Sequence, residues 1–187
     1  MSLGHFHNLN KSYNPYSEKL KSVLNLEDSK EAFDEISTWD GYKPTPLLSL
    51  KKIASQTGVK NIYYKDESSR FGLGSFKALG GTYGVLKFIQ DELQKDIGKP
   101  VILNDIHKGK YKEKISKYTV TTATDGNHGR SVAYGAKLFG CMCQIYIHAE
   151  VSLGRQNAME KLDANVIRVH GNYDESLKVC KQESEKN

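Results

Sequence analysis

Two polar, glycine-bearing stretches of this 187-residue sequence hold the residue types that chemistry needs. The first is Lys65-Asp-Glu-Ser-Ser-Arg-Phe-Gly-Leu-Gly-Ser-Phe-Lys77. It ends on a lysine that opens an otherwise apolar helical stretch, beside Phe76, Ala78 and Leu79. Partial desolvation and a helix N-terminus both disfavour the ammonium form of such a lysine, and a neutral amine attacks carbonyls to form a Schiff base. A lysine snorkelling to the surface gives the same pattern. The second stretch is Thr121-Thr-Ala-Thr-Asp-Gly-Asn-His-Gly-Arg130. Its hydroxyls, amide and unpaired N–H groups at a helix start suit a carboxylate or a phosphate. Asp125 would oppose an anion there; it reads as an N-cap or as a general base. His128 reads as a packed or capping histidine or as a catalyst.

The elements that must position these residues follow from pattern. The first 40 residues read as helical pieces, with Ser29 capping a short helix on which Ala32, Phe33 and Ile36 share a face. Pro44 and Pro46 forbid a regular helix between Tyr42 and Leu48. A helix over 48–57 closed by Gly58 and a strand over 59–65 follow. A long helix over 76–94 carries Gly80, Gly81 and Gly84. Three glycines in five positions indicate either the close approach of another backbone or ligand, or tight helix–sheet packing. Beyond Tyr118 the order is regular. Strands over 118–122, 143–148 and 166–170 alternate with helices to Phe139, over 152–162 and over 173–183. Such units imply right-handed crossovers and an open parallel α/β sheet.

Composition excludes several classes. The chain is 38% hydrophobic and 10% aromatic, too apolar for disorder, and no apolar run approaches the roughly 20 residues of a membrane span. The N-terminal segment lacks a signal core, so a soluble, cytoplasmic protein is expected. Net charge is +5. The five lysines at 108, 110, 112, 114 and 117 lack an accompanying aromatic ladder or recognition motif, so they read as a solvated loop, and no nucleic-acid partner is expected. Cys141, Cys143 and Cys180 are odd in number and form no CxxC, which argues for buried thiols in a reducing compartment and against zinc or a disulfide framework.

Taken together, the PTPL at Pro44–Leu47, YKDESSRFGLGSFKALGG at Tyr64–Gly81 and TATDGNHGR at Thr122–Arg130 resemble the diaminopropionate ammonia-lyases, a branch of the fold-type II pyridoxal-phosphate enzymes related to tryptophan synthase β and threonine dehydratase. Weaker similarity continues into GNYDES at Gly171–Ser176. KDES with RFGL before SFK, and an aspartate directly before GNHG, point to this branch rather than to threonine dehydratase.

The resemblance implies pyridoxal 5′-phosphate as cofactor and α,β-elimination of a small amino acid, 2,3-diaminopropionate, to pyruvate and ammonia. Lys77 matches the lysine that holds the cofactor and serves as a base. Asn127 matches the asparagine at the cofactor ring oxygen. Thr124, Gly126 and His128 fall in the loop that receives the substrate carboxylate, and Asp125 matches an acid serving the opposite enantiomer. Residues 1–84 correspond to the N-terminal part of the large cofactor-binding domain, and 85–187 to the small domain. The family's phosphate-binding glycine loop and the partner of the pyridine nitrogen lie in a later half, so the sequence corresponds to a truncated enzyme whose own activity is open. A homodimer, or a separate C-terminal half, is the implied partner. A related serine or threonine ammonia-lyase and a non-catalytic binding module are the alternatives. The sequence departs modestly from the family at HAEVSLGR, residues 148–155, where the family commonly has a proline-bearing turn, and at LDAN, residues 162–165, where it has an LGAE-like turn.

Overall fold

The computed structural model describes residues 8–9, 11 and 14–186. The chain divides into two compact units, Met1–Glu35 and Ile36–Asn187. In the first unit, α1 (Glu18–Lys21) is capped by Ser17, and α2 (Leu26–Ile36) starts after Asn25. Asn25 Oδ1 accepts the Asp28 N–H at 2.8 Å. Ser29, expected to cap this helix, therefore lies inside it. Its hydroxyl donates back to the Asn25 carbonyl at 2.9 Å.

The second unit opens with a small antiparallel pair, β1 (Leu47–Ser49) and β2 (Tyr63–Lys65), flanking α3 (Lys51–Thr57). The helix expected from Leu48 begins three residues later, because Leu47–Ser49 pairs with Tyr63–Lys65 instead. The strand expected over 59–65 keeps only its paired end. The long helix α4 (Lys77–Ile97) then buries Val85, Leu86, Ile89 and Leu93 at helical spacing. Each fully buried apolar side chain of this kind contributes about 1.5–3 kcal/mol. Helix α5 (Leu103–His107) precedes the lysine-rich stretch, which keeps Lys108, Lys110 and Lys117 in turns, as expected of a loop, and places Lys112 and Lys114 in a short helix, α6 (Lys112–Ile115). Ile106 and Ile115 anchor these helices in the core, and Lys110 pairs with Asp105 at 2.6 Å.

The rest is an open three-stranded sheet in the order β3 (Thr119–Ala123), β4 (Met142–His148), β5 (Asn165–Val169), all parallel. The connections are α7 (Asn127–Phe139) and α8 (Leu153–Glu160), and α9 (Tyr173–Ser184) follows β5. The period of two along β4 explains the layering. Cys143, Ile145 and Ile147 face a core shared with α4, α7 and α8, while Tyr146 faces a second cluster with Cys180 of α9. Helices thus cover both faces, the expected open α/β arrangement. Asn172 and Glu175 form a capping box at the start of α9.

Among the expected close approaches, Gly81 is decisive. A Cβ there would lie 1.6 Å from Ser131 Oγ of α7. At the same contact the buried Thr82 hydroxyl donates to the Ser131 carbonyl at 3.0 Å. Gly80 and Gly84 meet nothing within 4 Å and instead line a cavity. The cluster thus serves the close approach of another element, helix α7 at Gly81, and not helix–sheet packing, the other reading.

The two motifs before α4 are tied by a buried ion pair. Arg70 is 5% exposed and Glu67 is 15% exposed. Arg70 Nε and Nη2 donate to the two Glu67 oxygens at 2.7 and 3.1 Å, and Nη1 donates to the Lys43 carbonyl at 2.8 Å. The Thr45 hydroxyl donates to Glu67, and Lys65 Nζ donates to the Thr45 carbonyl at 2.6 Å. The Arg70 hydrogen bonds hold the Glu67 carboxyl down at about 2, against the desolvation that would raise it. Replacing Glu67 with glutamine leaves the guanidinium underpaired and is expected to cost about 3 kcal/mol of unfolding free energy in urea at pH 7. The stabilising charge is fully present above the unfolded value near 4.5 and is lost as pH falls toward about 2. The gap between wild type and Glu67→Gln should therefore close across that window; a gap independent of pH refutes the assignment.

Candidate active site

Lys77 is the first residue of α4, and Asn127 is the first of α7. The Gly81–Ser131 contact brings these two helix starts to one side of the sheet. Lys77, Thr124, Asp125, Gly126, Asn127 and His128 all line one cavity of about 390 Å³. The structure thus brings together every residue singled out from the sequence. It adds Arg155, at the start of α8, and Tyr173, at the start of α9. Both were missed because each belongs to a helix start that becomes adjacent only when the sheet forms. The signal for them is topological: the carboxyl ends of parallel strands converge, and ligands of open α/β sheets bind there.

The turn itself is built by Thr124, which is buried. Its Oγ1 accepts the N–H groups of Gly126 and Gly129 at 3.1 and 3.0 Å. That role, expected of Asp125 as an N-cap, is taken by its neighbour. Gly129 permits the close fit: a Cβ there would sit 2.4 Å from Thr124 Cγ2 and 2.8 Å from Met159 Sδ. With Thr124 capping Gly126 and Gly129, the N–H groups of Asn127 and His128 lie in the first helical turn, where no intrahelical acceptor exists. They are donors for an anion. Asp125 is exposed, and its Oδ1 lies 3.2 Å from His148 Nε2.

Lys77 is exposed at the mouth of the cavity. His128 is pushed below the ordinary histidine value by desolvation and then by the Lys77 charge, so it is neutral at pH 7 and can accept or donate a proton. His128 also lines the larger cavity, about 940 Å³, between Gly80, Gly84 and Phe88 of α4 and the free edge of β3. Among the described residues no group of histidine, cysteine and acidic side chains is arranged to hold a metal, and no helix is long and apolar enough to cross a membrane. The three cysteines are free thiols; burial raises Cys141 to about 11 and Cys143 to about 12.

An open α/β sheet with an amine-bearing helix and an asparagine turn at its carboxyl ends defines a class. Residues 38–187 match the family model for pyridoxal-phosphate dependent enzymes, and the chain belongs to that family. The fold is that of a fold-type II enzyme, in part. The chain is 37% identical over 159 residues to the diaminopropionate ammonia-lyase of Salmonella typhimurium, a match covering 85% of this chain and 39% of that protein. It is 35% identical over 176 residues to the diaminopropionate ammonia-lyase of Escherichia coli K12, covering 94% of this chain and 42% of that protein. The crystal structure of the Escherichia coli enzyme in apo form superposes with a TM-score of 0.76 at 34% identity, over 86% of this chain and 43% of that one. The chain thus spans about 40% of the length of these relatives.

The family's cofactor, pyridoxal 5′-phosphate, carries an aldehyde, a ring oxygen and a phosphate. The residues present fit its aldehyde side. An amine and an amide donor, Lys77 and Asn127, line the same cavity, next to the unpaired N–H groups of the α7 start. Lys77→Met removes the charge that lowers His128, so the His128 midpoint in an NMR titration is expected to rise part of the way toward 6.5, desolvation holding the rest. An unmoved midpoint would separate the two residues.

Proposed function

We propose that this chain is the lysine-bearing portion of a pyridoxal-phosphate dependent ammonia-lyase that eliminates one ammonia from 2,3-diaminopropionate, the released 2-aminoacrylate then taking up water to give pyruvate and a second ammonia. What carries the reading is the single cavity shared by Lys77, Asp125 and Asn127. When bound, the cofactor supplies an electron sink for the α-carbanion. Lys77 holds it and then accepts the α-proton of one enantiomer at Nζ. Asp125 accepts the α-proton of the other enantiomer at its carboxylate. Asn127 donates to the cofactor's ring oxygen. The Thr124 hydroxyl proton and the N–H groups of Asn127 and His128 receive the substrate carboxylate, with Gly126, whose own N–H is held by Thr124 Oγ1, shaping the turn and Arg155 adding positive charge beside them.

The domain assignment belongs to this reading. Residues 1–84 form part of the large domain and 85–187 the small one, with the boundary inside α4. Completion by further polypeptide, in the same chain or from a partner, belongs to the same reading, and the topology is compatible with it. Helices α7 and α8 cover one sheet face and α9 the other. A right-handed crossover through a helix on the opposite face runs back across the sheet, to the free edge of β3. Glu183 and Ser184, at the end of α9, line the 940 Å³ cavity together with that edge. Exposed Phe76, Phe88 and Ile102 are apolar surface that a partner would cover. The free thiols, two of them buried and Cys141 half-buried, suit a reducing compartment such as the cytoplasm.

Adding pyridoxal phosphate is expected to produce a visible absorbance band that Lys77→Ala abolishes. A wild type without the band supports a non-catalytic module instead. In a form that turns over, Asp125→Asn is expected to depress one substrate enantiomer by at least about 100-fold, the scale of general base catalysis, and to leave the other nearly unchanged. Equal effects on both would favour a related serine or threonine ammonia-lyase.

A further inference from the structure

Asp125 is more than half exposed, and its carboxylate neither caps α7 nor bonds to its own turn. An exposed aspartate with no fixed partner samples several rotamers, a poor state for a base that must meet one proton. The partner that fixes it lies at the end of β4, where the HAEVSLGR segment begins. His148 is the last residue of β4, and its side chain is 17% exposed. Its Nδ1 accepts the Glu150 N–H at 3.3 Å, which leaves Nε2 as the protonated nitrogen. Nε2 lies 3.2 Å from Asp125 Oδ1.

The backbone around His148 is held independently of Asp125. Arg168 Nη1 donates to the carbonyls of His148 and Ala149 at 3.3 and 2.7 Å, and its Nη2 donates to Gln156 Oε1 at 2.7 Å. The Ala149 N–H donates to the Gly171 carbonyl at 3.2 Å. The imidazole is therefore presented by a clamped turn, with one nitrogen committed to the backbone.

We propose that His148 is a positioning residue for Asp125: the neutral imidazole donates from Nε2 to Oδ1, holds one carboxylate rotamer, and leaves Oδ2 as the oxygen that faces the cavity. The consequence for proton transfer rests on the reading of Asp125 given above; the contact itself does not.

Nitrogen-15 NMR of the 187-residue chain tests it without cofactor or turnover. The His148 ring is expected in the Nε2–H tautomer, and the Hβ couplings of Asp125 are expected to report a single χ1 rotamer. In His148→Ala those couplings should average across rotamers. In His148→Gln, whose amide can donate from near the Nε2 position, they should return toward wild type, with the thermal midpoint of all three proteins within a few degrees. An Nδ1–H tautomer, or Asp125 couplings identical in wild type and His148→Ala, overturns the proposal. Failure of the enzymatic reading shows separately, as loss of the Lys77-dependent absorbance band while the NMR result stands.

Discussion

The Arg70–Glu67 pair decides where the amine goes. Lys77 is useful only if α4 starts at a fixed place and angle, yet a polar, glycine-bearing chain, Asp66–Phe76, precedes it. Loops of that composition have little apolar burial to order them. Here the ordering comes from one guanidinium that takes both oxygens of Glu67 and the Lys43 carbonyl at once. The bidentate geometry and the extra acceptor compensate for burying two charges, which a single ion pair commonly fails to do. The pair also ties the PTPL turn to the KDESSRFG loop, through Thr45. Phe71, in a left-handed conformation unusual for a bulky residue (φ 46°), is kept there by stacking on Tyr134 of α7 at 5.7 Å. The loop is thus fastened at one end to the proline turn and at the other to α7.

From that anchor the site assembles by backbone contact. Two helices can bring their N-termini to one cavity only if something sets their separation. Between α4 and α7 that is the absence of a side chain at Gly81, against Ser131, reinforced at Gly135, where a Cβ would lie 3.0 Å from Thr82 Cα. The same principle recurs at Gly129, which lets the start of α7 close on Thr124. Bulk at any of these points would push Lys77 away from Asn127, so the chemistry depends on residues that have no functional group.

Much of this was legible from residue order, because the governing signals are local. Strand and helix alternation after Tyr118, the helix end at Phe139, and the two polar turns all depend on neighbours within a few positions. The misreadings share a cause. Ser29 lost the cap to Asn25 because several polar residues in a row compete for it. Leu47–Ser49 became a strand because its partner lies sixteen residues away, at Tyr63–Lys65. The lysine-rich stretch gained one helical turn, α6, because Ile115, and not a lysine, meets the core. His148, Arg155 and Tyr173 escaped for the strongest form of this reason. They lie at the ends of three different segments, and only sheet closure makes them neighbours of Asp125.

The exposure of the site constrains what it can do as it stands. Lys77 and Asp125 both reach solvent, and in water charges attract and repel weakly. A base that must take a carbon-bound proton works best where water is excluded and the positions of charges are fixed. The protein supplies the second condition, through the Glu67 anchor, the Thr124 cap and the clamped β4 turn. On the proposed reading, the first calls for a cover over the carboxyl ends of the strands. The surface there suits one: Gly80 and Gly84 leave the side of α4 bare, β3 presents an unpaired edge, and His128 stands between the two cavities. Fixed charges on one polypeptide segment and an apolar roof from another would divide the task by physical requirement, since the groups that must not move are those whose anchors are local.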